Sequence, residues 1–262
     1  MEKTRRNFDG KKPGQVQDDG SVIVGRNPVL ELLKSGREIE KLYIQKGERE
    51  GSITKIFAEA KKRGIVISEV DKKRLDELSF GNAHQGVAAV ASAVIYKTVA
   101  ELVEIARERG EKPLIVVCDG VEDPHNLGAI IRCADGAGAH GVIISKRHAP
   151  IIGQTVFKSS AGAAEHVAIA KVANIASAVE ELKELGVWTF AAEAGGTSYR
   201  DTDFDCAAAI VMGSEGDGVS RLVREKCDFT VSIPMRGKVN SLNVSTAAAV
   251  LLFEAADKQH RT

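Results

Sequence analysis

The sequence predicts an α/β protein, with a large C-terminal domain on a parallel sheet preceded by a smaller α/β domain. Two observations carry this. From Leu114 onward, short apolar runs alternate with helical patterns, and strands that read as continuous apolar runs belong to sheets covered on both faces. Upstream, the same alternation appears on a smaller scale over residues 21–92, after a stretch without apolar periodicity.

Residues 1–20 are polar and contain Gly and Lys, so a flexible tail is expected there. Residues 21–92 make the small domain. Val22-Ile-Val is a strand, followed by a turn and a helix opening near Pro28, since proline favours the first helical position. Leu42-Tyr-Ile is the next strand. Residues 53–62 read as a helix, with Ile53, Ile56, Phe57 and Ala60 on one stripe. Residues 65–67 are a strand, 74–78 a short helix, and 87–91 a closing strand. Residues 93–112 form a link and a helix. Residues 113–262 then supply a strand at 114–118, helix 126–137, strand 142–145, helix 172–185, strands 188–192 and 207–212, helix 218–226, strand 229–233 and helix 245–257. That last helix is apolar nearly all round, from Ala247 to Phe253. It must be buried on more than one side, either centrally or at a subunit interface.

A chain of 262 residues accommodates one large or two modest domains. No apolar run approaches a membrane span, and the polar N-terminus is unlike a signal peptide. The expected location is cytoplasmic, with no membrane partner. Cys118, Cys133, Cys206 and Cys227 are widely spaced and read as buried free thiols of a reduced compartment. The six histidines show no metal-ligand spacing, so no metal is expected. Net charge is zero, which argues mildly against simple electrostatic binding of nucleic acid. The distribution is uneven: 13 basic against 10 acidic residues over 21–95, and 18 against 22 over 96–262. Basic character upstream fits an RNA contact, and chance on the surface accounts for it equally. Lys61-Lys-Arg63 and Lys72-Lys-Arg74 are solvated helix ends or phosphate contacts. Arg26 and Asn27 serve a structural turn or touch RNA.

Four segments invite a chemical reading. Gly136-Ala-Gly-Ala-His-Gly141 has the spacing of a dinucleotide fingerprint, but it ends a helix and precedes a strand. The fingerprint requires the reverse order. It reads as a helix cap and turn, and a Rossmann oxidoreductase is disfavoured. Gly213-Ser-Glu-Gly-Asp-Gly218 follows a strand and leads into a helix. Its glycines let the backbone approach a ligand. Glu215 and Asp217 would repel an anion and suit a neutral or cationic ligand. A tight turn with acids near a helix N-terminus explains them as well. On helix 126–137 the apolar stripe is Leu127, Ile130, Ile131 and Ala134, so Arg132 points away from the core; a solvated arginine is the alternative to a functional one. Asn126 reads as that helix's N-cap. Asn240, Ser241, Asn243 and Ser245 follow a strand, and Ser245 suits the cap of the last helix.

Taken together and in order, the segments Asp119 to Arg132, Ile210 to Gly218 and Ile233 to Ser245 resemble the three motifs of the SpoU (TrmH) family of RNA ribose 2'-O-methyltransferases, within the SPOUT superfamily. The resemblance is close over about the last 150 residues and looser upstream. It implies a SPOUT domain with a deep trefoil knot, which periodicity cannot reveal because true knots are nearly absent from proteins. It also implies a small ribosomal-protein-type domain that binds RNA, S-adenosylmethionine as cofactor, no metal, and a homodimer with the active site near the interface. By matching positions it implies Arg132, Asn126, Glu215, Ser241 and Asn243 as catalytic residues, Arg132 leading. Gly213, Ile233, Leu242, Ala192 and Ser241 are implied cofactor contacts.

The phrases Asp123-Pro-His-Asn-Leu-Gly-Ala and Ser160-Ala-Gly-Ala-Ala-Glu-His look most like the branch that methylates a guanosine ribose in large-subunit (23S) rRNA. A tRNA guanosine is the nearest alternative. A non-catalytic RNA-binding platform is a third, and the intact motif set argues against it. No His, Asp or Lys in the motifs is an obvious base, and arginine is normally locked in its charged form. The expected role of Arg132 is to bind the adjacent phosphate and lower the hydroxyl's pKa; deprotonated Arg132 acting directly is the alternative. The Gly-Gly-Thr-Ser-Tyr run after Glu193 reads as a variable loop with no assigned role.

Overall fold

A computed structural model describes residues 22–260 apart from 36, 48, 49, 80 and 81. The tail expected over residues 1–20 lies outside the described residues. The chain divides into two compact units, Met1–Ala91 and Ser92–Thr262.

The first unit contains β1 (Val22–Val24), α1 (Arg26–Lys34), β2 (Ile39–Gln45), α2 (Ser52–Lys62), β3 (Ile67–Val70), α3 (Lys72–Leu78) and β4 (Val87–Ala91). The sheet order is β1-β4-β2-β3, with β2 and β3 parallel and the other pairs antiparallel. Its core joins Val29 and Leu32 of α1 to Leu42, Ile56 and Val87. Two expectations shift. Helix α1 opens at Arg26 rather than Pro28, directly after Gly25 at φ +96°. Strand β3 starts at Ile67 because Ile65 belongs to the end of α2. Its N–H reaches Ala60 O at 2.9 Å and Gly64 N–H reaches Lys61 O at 3.1 Å, the paired bonds of a Schellman cap around a left-handed glycine.

The second unit contains α4 (Val99–Glu108), β5 (Leu114–Cys118), α5 (Pro124–Gly136), β6 (Gly141–Ser145), α6 (Gln154–Ser159), β7 (Ile169–Val172), α7 (Ile175–Glu184), β8 (Trp188–Ser198), β9 (Ala208–Met212), α8 (Arg221–Lys226), β10 (Phe229–Ser232) and α9 (Val244–His260). Six parallel strands lie in the order β10-β8-β9-β5-β6-β7. One face is covered by α5 and α9, the other by α4, α7 and α8. This is the expected fold class, an α/β protein with a small mixed-sheet unit before a parallel six-stranded one.

The glycine-spaced segment at 136–141 behaves as expected. Ala139 N–H bonds Ala134 O at 2.8 Å around left-handed Gly138, and β6 follows. Helix α6 and strand β7 were not anticipated. Residues 169–172, half-buried at their end, form an edge strand, and Asn174 then caps α7 through Ser177 N–H at 3.0 Å. The run expected to be a variable loop is the second half of β8. There β8 pairs with β10 at Phe190 and Ala191 and again at Thr197 and Ser198, so residues 192–196 bulge without counterparts. Gly196 is needed there, because a Cβ would sit 2.5 Å from Thr230 O. Helix α9 buries Val244, Ala248, Leu251, Leu252, Ala255 and Ala256, yet Phe253 is 52% exposed.

Asp228 ties the start of β10 to β8 and α7. Its carboxylate accepts from Thr189 N–H (3.0 Å) and Thr189 Oγ1–H (2.7 Å), and Lys183 Nζ lies 2.8 Å away. Partial burial pushes the carboxyl pKa up, but bonds from Lys183 and Thr189 outweigh it and hold the group below its ordinary value. A carboxylate depressed in the folded state stabilises above its unfolded pKa and loses that contribution as pH falls through the folded value. Asp228→Asn is therefore expected to cost about 1–3 kcal/mol at neutral pH and less below about pH 4. Urea unfolding at pH 7 and pH 3 measures both; equal losses at the two pH values would refute the charge contribution.

Of the four free thiols only Cys118 is buried; Cys133, Cys206 and Cys227 are half-buried, less enclosed than expected. Burial pushes Cys118 up to about 12, and Cys206 and Cys227 to about 11. No described helix is long and apolar enough to cross a membrane. Among the described residues no cluster of His, Cys, Asp and Glu could hold a metal ion.

Candidate active site

The C-terminal ends of β9 and β10 and the middle of β8 open into one cavity of about 610 Å³. Ligands of parallel sheets collect at this end. Three walls form it. The first is the turn after β9. Ser214 and Gly218 exchange backbone hydrogen bonds of 3.0 and 3.2 Å, and Gly216 and Gly218 take φ of +102° and +69°. Gly213 lies so close beneath that a Cβ would sit 2.0 Å from the Gly218 carbonyl carbon. This miniature hairpin uses residues 214–218, so α8 begins only at Arg221 and not at the expected 218.

The second wall is the β8 bulge with Ala192, Glu193 and Ala194. Glu193 Oε1 accepts a 2.6 Å bond from Val219 N–H, pinning the bulge to the hairpin. The third wall comes from Val231 to Ile233, Met235, and residues 240–244 leading into α9. Among the described residues no Lys, Arg or His lines the cavity; its charged lining is Glu193, Glu215 and Asp217.

Three residues far apart in sequence meet at the rim. Asn243 Nδ2 donates to Glu215 Oε1 (2.6 Å) and to Asn126 Oδ1 (3.0 Å), and Asn126 Nδ2 donates to the same Glu215 oxygen (3.1 Å). The local structure leaves these amides free to do this. Asp123, not Asn126, caps α5, accepting from His125 and Asn126 N–H at 2.7 and 3.0 Å, with Pro124 at the first helical position. Asn243, not Ser245, caps α9: its Oδ1 accepts from Ser245 N–H (3.0 Å), Ser245 Oγ–H (2.6 Å) and Thr246 N–H (3.4 Å). Because that oxygen is committed to the helix, the amide NH₂ must face Glu215.

The expected cofactor set of Gly213, Ile233, Leu242, Ala192 and Ser241 lines the one cavity, as do Glu215 and Asn243. Asn126 joins through its hydrogen bonds. Arg132 does not: it is exposed on α5, outside the cavity lining, and makes no hydrogen bond or ion pair among the described residues. Glu193 was missed in the sequence, where its signal was only a lone acid just past a predicted strand.

In the first unit, Arg63 proves structural. Its guanidinium donates to Leu33 O (2.7 Å) and Arg37 O (3.0 Å). Arg74 pairs with Glu77 at 3.0 Å. Arg26 donates through Nε to Gln85 O at 3.0 Å. Lys61, Lys62, Lys72 and Lys73 remain exposed. Lys72 and Lys73 open α3, where the helix dipole disfavours cations, so helix stability does not account for them.

The profile of the SpoU rRNA Methylase family matches residues 113–253, more than half the chain. The chain belongs to the SpoU rRNA methylase family. A second profile, RNA 2'-O ribose methyltransferase substrate binding, matches residues 22–97. Among SpoU relatives, YacO of Bacillus subtilis, assigned to the TrmH family of tRNA/rRNA methyltransferases, is 44% identical over 239 residues, covering 91% of this chain and 96% of YacO. The AdoMet-bound rRNA methyltransferase of Sinorhizobium meliloti superimposes with a TM-score of 0.54 at 25% identity, covering 90% of this chain and 86% of that one. The SpoU methyltransferase AviRb of Streptomyces viridochromogenes, crystallised with AdoMet, shares the fold with a TM-score of 0.57 at 24% identity over 90% and 89% of the two chains.

Proposed function

We propose that this SpoU protein methylates the ribose 2'-hydroxyl of a guanosine in large-subunit (23S) rRNA. The broader activity follows from its family: S-adenosylmethionine-dependent 2'-O-methylation of tRNA or rRNA. The cavity fits that cofactor. It has room for a nucleoside-sized ligand, a glycine floor that admits close backbone approach, and an acidic lining without cations, suited to a sulfonium. When bound, S-adenosylmethionine supplies a methyl group on positively charged sulfur, and transfer to the ribose oxygen leaves a neutral thioether and releases the hydroxyl proton.

The observation that carries the catalytic reading is the hydrogen-bonded Asn126–Glu215–Asn243 cluster at the cavity rim. Glu215, held by two amides, is fixed in place to orient the substrate ribose or an arginine. Ser241, exposed between Leu242 and Asn240 on the cavity wall, positions the ribose beside it. Arg132 binds the phosphate next to the target nucleotide and lowers the hydroxyl's pKa, because a fixed cation stabilises the developing oxyanion. Gly213, Ala192, Ile233 and Leu242 hold the cofactor.

The working form is a homodimer joined across the α5–α9 face. The support is Phe253, a large apolar side chain left exposed on α9 and lying against Gly136 of α5. Arg132 is four residues before Gly136, hence on the same side of α5. The segment 233–243, returning from the sheet edge before α9 docks on α5 and β9, is the part of the chain that would thread the trefoil knot. The first unit and its exposed lysines bind RNA.

The rRNA assignment rests on the two-part layout and on the segments at 123–129 and 160–166. A tRNA guanosine is the second reading, favoured by the tRNA/rRNA assignment of YacO. The test is transfer of labelled methyl to separated rRNA and tRNA pools, followed by nucleoside analysis. The expected product is labelled 2'-O-methylguanosine in large-subunit rRNA. Label confined to tRNA replaces the substrate, and no transfer to any pool removes the enzymatic reading.

A further inference from the structure

We propose that Glu193 makes the cavity selective for the sulfonium form of the adenosyl cofactor over its neutral thioether product. The inference rests on the cofactor reading above and concerns a residue outside the three motifs. Of the carboxylates lining the cavity, Glu215 is engaged by Asn126 and Asn243, and Asp217 is exposed at the hairpin tip. Glu193 differs from both. It is half-buried, it stands on the bulge where β8 parts from β10, and its Oε1 is fixed by Val219 N–H at 2.6 Å. Its other oxygen carries no hydrogen bond among the described residues.

Two features of the backbone set this carboxylate in place. The bulge carries it out of the strand pairing and into the cavity wall. Gly218, at φ +69°, lets it press against the hairpin, since a Cβ there would lie 2.5 Å from Glu193 Oε1. A negative charge fixed beforehand against a partly desolvated wall acts strongly on a cation and costs no reorganisation when the ligand arrives. The cofactor enters with a positive sulfur and its product leaves with a neutral one, while the rest of the two molecules is the same. The field of Glu193 therefore distinguishes them, and it favours release of the product.

Glu193→Gln tests this. The amide oxygen keeps an acceptor for Val219 N–H, and the charge is lost. Calorimetry would compare S-adenosylmethionine, S-adenosylhomocysteine and an adenosyl analogue with an ammonium in place of the sulfonium. Removing one nearby charge is expected to weaken both cations about tenfold and the neutral thioether less than about twofold. Glu108→Gln, which deletes an exposed charge at the end of α4, outside the cavity lining, is expected to leave that ratio unchanged. Thermal melts of both variants establish that they fold. Equal weakening of all three ligands, no change in any, or the same shift in Glu108→Gln would overturn the proposal. If the unaltered protein binds none of the three, it is the cofactor reading that fails.

Discussion

Gly213→Ala is expected to weaken cofactor binding roughly a hundredfold while leaving most of the fold standing. The added Cβ would lie 2.0 Å from the Gly218 carbonyl carbon, 2.2 Å from Val219 N and 2.3 Å from Gly218 O. All three are backbone atoms, so no side-chain rotation relieves the clash. The hairpin at 214–218 must move, which breaks its two bonds and displaces Val219, the donor that holds Glu193. Overpacking of this kind costs on the order of 1–3 kcal/mol or more, and a comparable loss at the cavity means roughly a hundredfold weaker binding. The cores on the two sheet faces are untouched, so a cooperative melt at a lower temperature should persist. Calorimetry with S-adenosylmethionine beside thermal unfolding separates the two effects. Near-normal affinity would mean that the hairpin does not contact the cofactor.

Arg132→Ala is expected to have the opposite profile. Arg132 lies outside the cavity lining and its side chain makes no hydrogen bond or ion pair among the described residues, so affinity for the cofactor should be preserved. If its charge meets the phosphate and the developing oxyanion, its loss should lower single-turnover methyl transfer by about 10²–10³. Exposed arginines of purely solvating character tolerate alanine with little effect, so the two readings differ by orders of magnitude. Turnover near that of the unaltered protein would remove Arg132 from the mechanism.

Periodicity located the parallel sheet and most helices, because the buried strands of this unit are continuous apolar runs such as Leu114–Cys118 and Ala208–Met212. It failed where local sequence serves a non-local purpose. Ile65 reads as the start of a strand but closes a helix cap. Residues 195–199 read as a loop because their glycines carry no pattern, although Gly196 is there to let β8 approach Thr230. The site was legible as a list of polar residues. What linked them was not. Asn126 read as the cap of its helix, which is Asp123, and the cap of the last helix was read at Ser245, which is Asn243; neither reading predicts that the two asparagines meet across 117 positions. Arg132 was placed correctly on an outward face, but no spacing rule says whether that face joins the cavity. Glu193 was invisible because its importance depends on Val219 and Gly218 arriving beside it.

Asn243 divides one amide between two tasks. Its oxygen starts the last helix, and its nitrogen holds Glu215 and Asn126. Aspartate caps a helix equally well, but it would set a second negative charge against Glu215 in place of a donor. Serine caps as well, yet it lacks the second polar atom that reaches the rim. Alanine does neither. The position thus admits few substitutes, and any loosening of the helix's first turn reaches the rim directly, with no intervening residue to absorb it.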